Sequence, residues 1–208
     1  MPLNPAVPPT PDVHLRQIAK FWWVFAVRGG YAVLFALALA FASGLMGTIF
    51  FDPVLLVFLS MLLGVFVLGN GILLGVAAGF AAEQRLRVGI LLAAEALFAI
   101  ALGITIGLSL RISPQTLALL SGIAALGTGA FQLLLAVRFH RTPHFLALLG
   151  IAGVLSLAAS TFFLTHQSTP THTTAHWLSL FELLLGVLWL TFAYSLHHTV
   201  STLRPSSA

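Results

Sequence analysis

Long apolar runs alternate with short polar or breaker-rich gaps along the chain. The runs cover residues 21–43, 54–80, 86–109, 115–137, 145–165 and 176–196. A helix rises about 1.5 Å per residue, so about 20 apolar residues cross the roughly 30 Å hydrocarbon core of a bilayer. The pattern predicts an all-α, polytopic membrane protein with six transmembrane helices. The gaps hold Phe51-Asp52-Pro53, Glu83-Gln84-Arg85, Ile112-Ser113-Pro114, and residues 140–144 and 166–175. Connections this short make consecutive helices antiparallel neighbours.

Composition sharpens the picture. Hydrophobic residues fill 59% of the 208 positions and charged residues 7%, against roughly 25% charged in a soluble domain. So few charges cannot cover a water-soluble surface, and a soluble globule is excluded. The chain has no cysteine, which removes disulfides, thiol chemistry and Cys-ligated metal centres. Its net charge of +4 is scattered through the gaps, so it reads as a topology signal rather than a nucleic-acid surface. Arg16, Lys20, Arg85, Arg87, Arg138, Arg141 and Arg204 fall on the face that carries both chain ends, and Arg111 falls on the other. By the positive-inside rule both termini are expected in the cytoplasm. Trp22 and Trp23 then sit at the inner interface and Trp177 at the outer one.

The first eleven residues hold five prolines, so residues 1–20 are expected to be a cytoplasmic tail, with a short interfacial helix over 12–20. Residues 21–198 form the transmembrane domain, divided into hairpins 21–80, 86–138 and 145–197, and 199–208 form a second cytoplasmic tail. Ala40-Phe41-Ala42 resembles a signal-peptidase site. The run before it is longer than a signal's apolar core, so the first helix is expected to stay.

Small residues recur at fixed spacing. Gly64 and Gly71 in the second run align with Gly122 and Gly129 in the fourth and with Ser179 and Gly186 in the sixth, at offsets of 58 and 57 residues. Residues seven apart share nearly one helix face, and small ones there let backbones approach closely. The spacing predicts a threefold repeat of helical hairpins.

Several segments carry a resemblance to a known family. They are Val27-Arg28-Gly29, Gly64-Val65-Phe66-Val67-Leu68-Gly69-Asn70-Gly71, Leu92-Ala93-Ala94-Glu95, and Gly127-Thr128-Gly129-Ala130-Phe131-Gln132 running on to Arg138. Over residues 21–198 the chain resembles the HdeD family of small bacterial inner-membrane proteins. The chain differs in its proline-rich tail, in Asn70 where the family usually has Asp before Gly, and in a longer stretch between Arg28 and Pro53. The resemblance implies three helix-hairpin repeats in the bacterial cytoplasmic membrane and a non-enzymatic role in resistance to acid and envelope stress. It carries over no catalytic residues.

Ionisable residues at membrane depth are costly and mark candidate sites. Arg28 lies eight residues after Lys20, and Glu95 eight after Arg87, which puts each about 12 Å in from the same face. Matched depth and opposite charge predict an Arg28–Glu95 ion pair, serving either helix packing or a polar path. Glu182 lies six residues after His176, about 9 Å below the outer face. No basic residue matches that depth, so Glu182 is either a neutral acid bonded to a neighbouring oxygen or a proton-binding site in a small cavity. Asn70, Thr128 and Gln132 are uncharged and expected to join helices.

His166, His172 and His176 gather at the outer gap, read as a flexible loop, while His140, His144, His197 and His198 fall at the inner face. Histidine gains charge in mildly acid water, so the outer three are candidate pH-responsive groups. They are read as solvated side chains rather than metal ligands, and no metal site or cofactor is expected.

No phosphate-binding glycine loop, His-Glu-x-x-His run or Gly-x-Ser-x-Gly elbow is present in the sequence. The expected function is therefore non-enzymatic, in the response to acid. Two other readings stay open: a small transporter or channel with an intramembrane polar or proton site, and a packing or assembly protein. The partners expected are the lipid bilayer and, through small-residue faces, other membrane helices or a second copy, with no nucleic acid.

Overall fold

The computed structural model describes residues 21–46, 52–83, 88–109, 113–138 and 143–202. Among these residues it contains six helices: α1 Trp22–Met46, α2 Asp52–Glu83, α3 Val88–Leu108, α4 Pro114–Arg138, α5 Pro143–Thr165 and α6 Thr171–Thr202. All six are long and apolar enough to span a membrane, and no strand occurs among the described residues. The chain is an all-α, multi-pass membrane protein. The tail readings over 1–20 and 203–208 lie outside the described residues, as do Arg16, Lys20, Arg85, Arg87, Arg111, His140, Arg141 and Arg204.

Proline sets where most helices begin. Pro53, Pro114 and Pro143 occupy the first turns of α2, α4 and α5, where a missing N–H costs nothing and the fixed φ suits a helix. Ser113 caps α4, its Oγ accepting from the Thr116 backbone N–H at 3.1 Å. Pro170 precedes α6, and its carbonyl accepts from the Thr174 backbone N–H at 3.0 Å.

This last start corrects two expectations. The sixth helix begins at Thr171 rather than His176, so His172 and His176 stand on its first turns, and the turn shrinks to residues 166–170. Polar Thr-rich sequence hid the helix from a reading based on apolar runs. Glu182 is consequently eleven residues inside its helix, about 16 Å along it rather than 9 Å.

The helices close into a ring in chain order, with α6 returning to α1, and α2, α4 and α6 also touch one another at the centre. Two kinds of seam alternate around it. The extensive ones join α2 to α3, α4 to α5, and α6 to α1. Here the glycines do their work: a Cβ on Gly71 would lie 3.1 Å from the Ala96 carbonyl oxygen, on Gly129 3.0 Å from that of Gly153, and on Gly186 3.0 Å from that of Gly29. Two turns earlier, a Cβ on Gly64 would meet the Gly107 backbone nitrogen at 2.9 Å, and one on Gly122 the Leu164 side chain at 2.9 Å. The aligned Ser179 instead donates its Oγ–H to the Ala36 carbonyl at 2.8 Å. Close backbone approach maximises dispersion contact where lipid offers no hydrophobic driving force.

The other seams, α1–α2, α3–α4 and α5–α6, lie inside the hairpins named from sequence and are filled by rings. Phe35 stacks on Phe66 at 4.0 Å, Phe98 meets Phe131 at 6.3 Å, and Phe145 meets Phe192 at 5.4 Å. The tightest contacts thus run between successive hairpins and not within them. Outward-facing apolar residues such as Leu34, Ile90, Val154 and Val187 remain exposed, as lipid-facing positions should.

Phe21 stacks on Phe80 and Trp22 packs on His197, so α1 starts, α2 ends and α6 ends on one face, here the tail face. Phe162 packs on Trp177 near the α5–α6 turn, which marks the opposite, turn face.

Candidate functional site

Three helices bring their only charged interior side chains to one place. Arg28 lies on α1 and Glu95 on α3, six and seven residues from the starts of their helices, so equal depth lets them meet across the bundle. Arg28 Nη2 donates to Glu95 Oε1 at 2.9 Å, with both side chains almost wholly buried. The pairing follows the sequence expectation, but it is single rather than bidentate. Arg28 Nη1 and Glu95 Oε2 have no hydrogen-bond partner among the described residues. The guanidinium also lies over the Trp189 ring, its Cζ 4.2 Å from the centroid, a desolvated cation–π contact.

These groups border a cavity of about 40 Å³ that also reaches Glu182 on α6. That volume holds roughly two or three waters. Glu182 is half-buried and makes no hydrogen bond or ion pair with any described residue, yet it lies within the electrostatic reach of Arg28. The sequence left it without a basic neighbour; the structure puts it on the wall of the cavity that Arg28 also lines. One cation and two carboxyl groups share a low-dielectric space, with one negative charge in excess when all are ionised.

The cavity wall follows the sequence offsets. From α2 come Leu63, Phe66, Val67 and Asn70; from α4 Ser121, Ala124, Ala125 and Thr128; from α6 Leu178, Phe181, Glu182 and Leu185. These are the same four positions taken at steps of 58 and then 57 residues. Arg28, Glu95 and Ala152 are likewise matched, since each precedes the residue whose carbonyl faces a seam glycine. Equivalent places therefore carry different chemistry: Val67, Ala125 and Glu182 at the centre, and Arg28, Glu95 and Ala152 around it.

Of the remaining candidates, Asn70 and Thr128 line the cavity, but Gln132 does not. Gln132 is fully buried in the α4–α5 seam, where its Oε1 accepts from Ser156 Oγ at 3.1 Å. It joins helices, as expected. His166, His172 and His176 are exposed at the turn face, His166 stacking on Phe162 at 4.7 Å. No group of three metal-ligating side chains occurs among the described residues.

Sequence reasoning missed Ser121 and Trp189. Trp189 follows Glu182 by seven residues, the spacing that puts both on one helix face, and this signal was available. Ser121 is buried with its Oγ unpartnered, and one serine among many gave no reason to choose it.

Comparison with protein-family models, with curated proteins and with solved structures finds no match.

Proposed function

We propose that this is a non-enzymatic, HdeD-like protein of the bacterial cytoplasmic membrane, with both termini in the cytoplasm, that serves the response to acid through a proton bound at Glu182. The observation that carries the reading is the single cavity shared by Arg28, Glu95 and Glu182. A lone excess negative charge in low dielectric is neutralised most simply by a proton, and the space admits the waters that would deliver it. The threefold spacing supports descent from a repeated hairpin, with the site added at positions where the repeats differ.

The test is survival of acid shock by cells producing wild type or Glu182→Gln at equal membrane levels. Loss of protection in the variant is expected, and equal protection contradicts the reading. A second reading, a small transporter or channel, draws on the same cavity. It requires a path open in turn to both faces, and proton or solute flux in liposomes distinguishes it.

A further inference from the structure

Polar and apolar groups are divided unevenly along the bundle axis, and this bears on how a proton reaches Glu182. Trp189 lines the polar cavity and also a second cavity of about 20 Å³ toward the tail face. The second cavity is walled by apolar residues from all six helices, among them Phe25, Leu92, Leu135 and Phe192. Phe25 stacks on Trp189 at 5.7 Å, and Phe192 meets both rings edge-on at 5.2 and 5.8 Å. Three aromatic rings thus form a layer directly beneath Arg28, with no polar wall on its far side.

Toward the turn face the interior differs. Buried hydroxyls occur at Ser60, Ser121, Ser160, Thr171, Thr174 and Ser179, and those of Ser121 and Ser160 are unpartnered. Ser121 lies on the cavity wall, about 10 Å from the start of α4 at that face. An unsatisfied buried hydroxyl is a place for water. On the tail side of the cavity, the buried polar side chains among the described residues reduce to Gln132 with its partner Ser156, and these sit in a helix seam away from both cavities. The groups that face Glu182 are Arg28 from α1, Glu95 from α3, Asn70 from α2, and Ser121 and Thr128 from α4, while α5 contributes none.

We propose that Trp189, with Phe25 and Phe192, seals the cavity from the tail face, so that Glu182 exchanges protons only with the compartment at the α5–α6 turn. Apolar constrictions exclude water and protons by dewetting. The cavity is then a dead end, and the protein registers the acidity of one compartment without conducting between two. This rests on the reading of Glu182 as the proton-binding group.

The experiment labels Glu182 with dicyclohexylcarbodiimide, which adds to protonated carboxyl groups, in right-side-out and inside-out membrane vesicles whose two aqueous phases are buffered separately. Mass spectrometry of the peptide containing Glu182 reads the extent. Lowering the pH on the turn face should raise labelling severalfold, and lowering it on the tail face should leave it unchanged. Labelling that follows the tail face, or both faces, overturns the seal and leaves the proton-binding reading standing. Labelling that follows neither overturns both. Trp189→Ala should make labelling respond to both faces, and Trp189→Phe should not. If Trp189→Ala fails to accumulate, Phe25→Ala takes its place, and a variant that stays one-sided after either alanine change removes those rings from the seal.

Discussion

The three glycine seams and the cavity they enclose are built from the same sequence spacing, yet they use it in opposite ways. At the seams, equivalent residues make equivalent contacts: Gly71 on Ala96, Gly129 on Gly153, Gly186 on Gly29. At the centre, equivalent residues diverge, and a charge appears at two of three places around the ring and at one of three inside it. The difference separates what folds the bundle from what the bundle holds. Packing constrains all three seams alike, whereas the cavity needs only one complete set of polar groups.

The largest effect should come from breaking the ion pair on one side only. Arg28→Ala strands the Glu95 carboxylate in the interior, which costs about 3–5 kcal/mol, read as a lowered unfolding midpoint in detergent. Ala152 shows that an apolar side chain suits the matching place on α5. The double variant Arg28→Met with Glu95→Met should therefore recover most of the loss. A double variant as unstable as the single one would show that the pair is needed for folding itself.

Next come the seams. Gly71→Leu, Gly129→Leu and Gly186→Leu each force a side chain into backbone contact and should cost about 1–3 kcal/mol, with similar losses in the three. One neutral substitution among them would show that the seams are not equivalent. Gln132→Leu removes the interhelical bond to Ser156, whose Oγ keeps the Ala152 carbonyl at 2.8 Å, and should cost no more than about 1–2 kcal/mol in thermal unfolding. It should leave the acid response intact, because Gln132 does not border the cavity.

The smallest effect is expected at the turn face. His166, His172 and His176 are exposed, so replacing all three by Gln should leave thermal stability unchanged. Any change in survival of acid shock should be small beside that of Glu182→Gln. A folding defect in the triple variant would show that the contacts of His166 with Phe162 and Thr165 contribute to stability.

The fold was more legible than the site, for a physical reason. A membrane span must be about 20 apolar residues long, and that requirement is written into each run separately. The same uniformity blurs the inward face: apart from single polar residues such as Glu95 and Ser156, α3 and α5 are apolar nearly all round, so no amphipathic stripe tells which side packs. Glycine spacing identified the close faces but not their partners, since Gly186 reaches back across the whole chain to Gly29. Arg28 and Glu95 could be paired because depth is counted along a helix from charged ends. Glu182 was misplaced because the polar first turns of α6 looked like loop, so the small cavity considered for it was not connected to Arg28 and Glu95.

The central claim is that Glu182 gains and loses a proton inside the bundle. Infrared difference spectroscopy of the reconstituted protein, between neutral and acid buffer, tests it most directly by following the carbonyl stretch of protonated carboxyl groups. A band that grows on acidification in wild type and is missing in Glu182→Gln is the predicted result. A band of equal size in both proteins, or none in either, contradicts the claim.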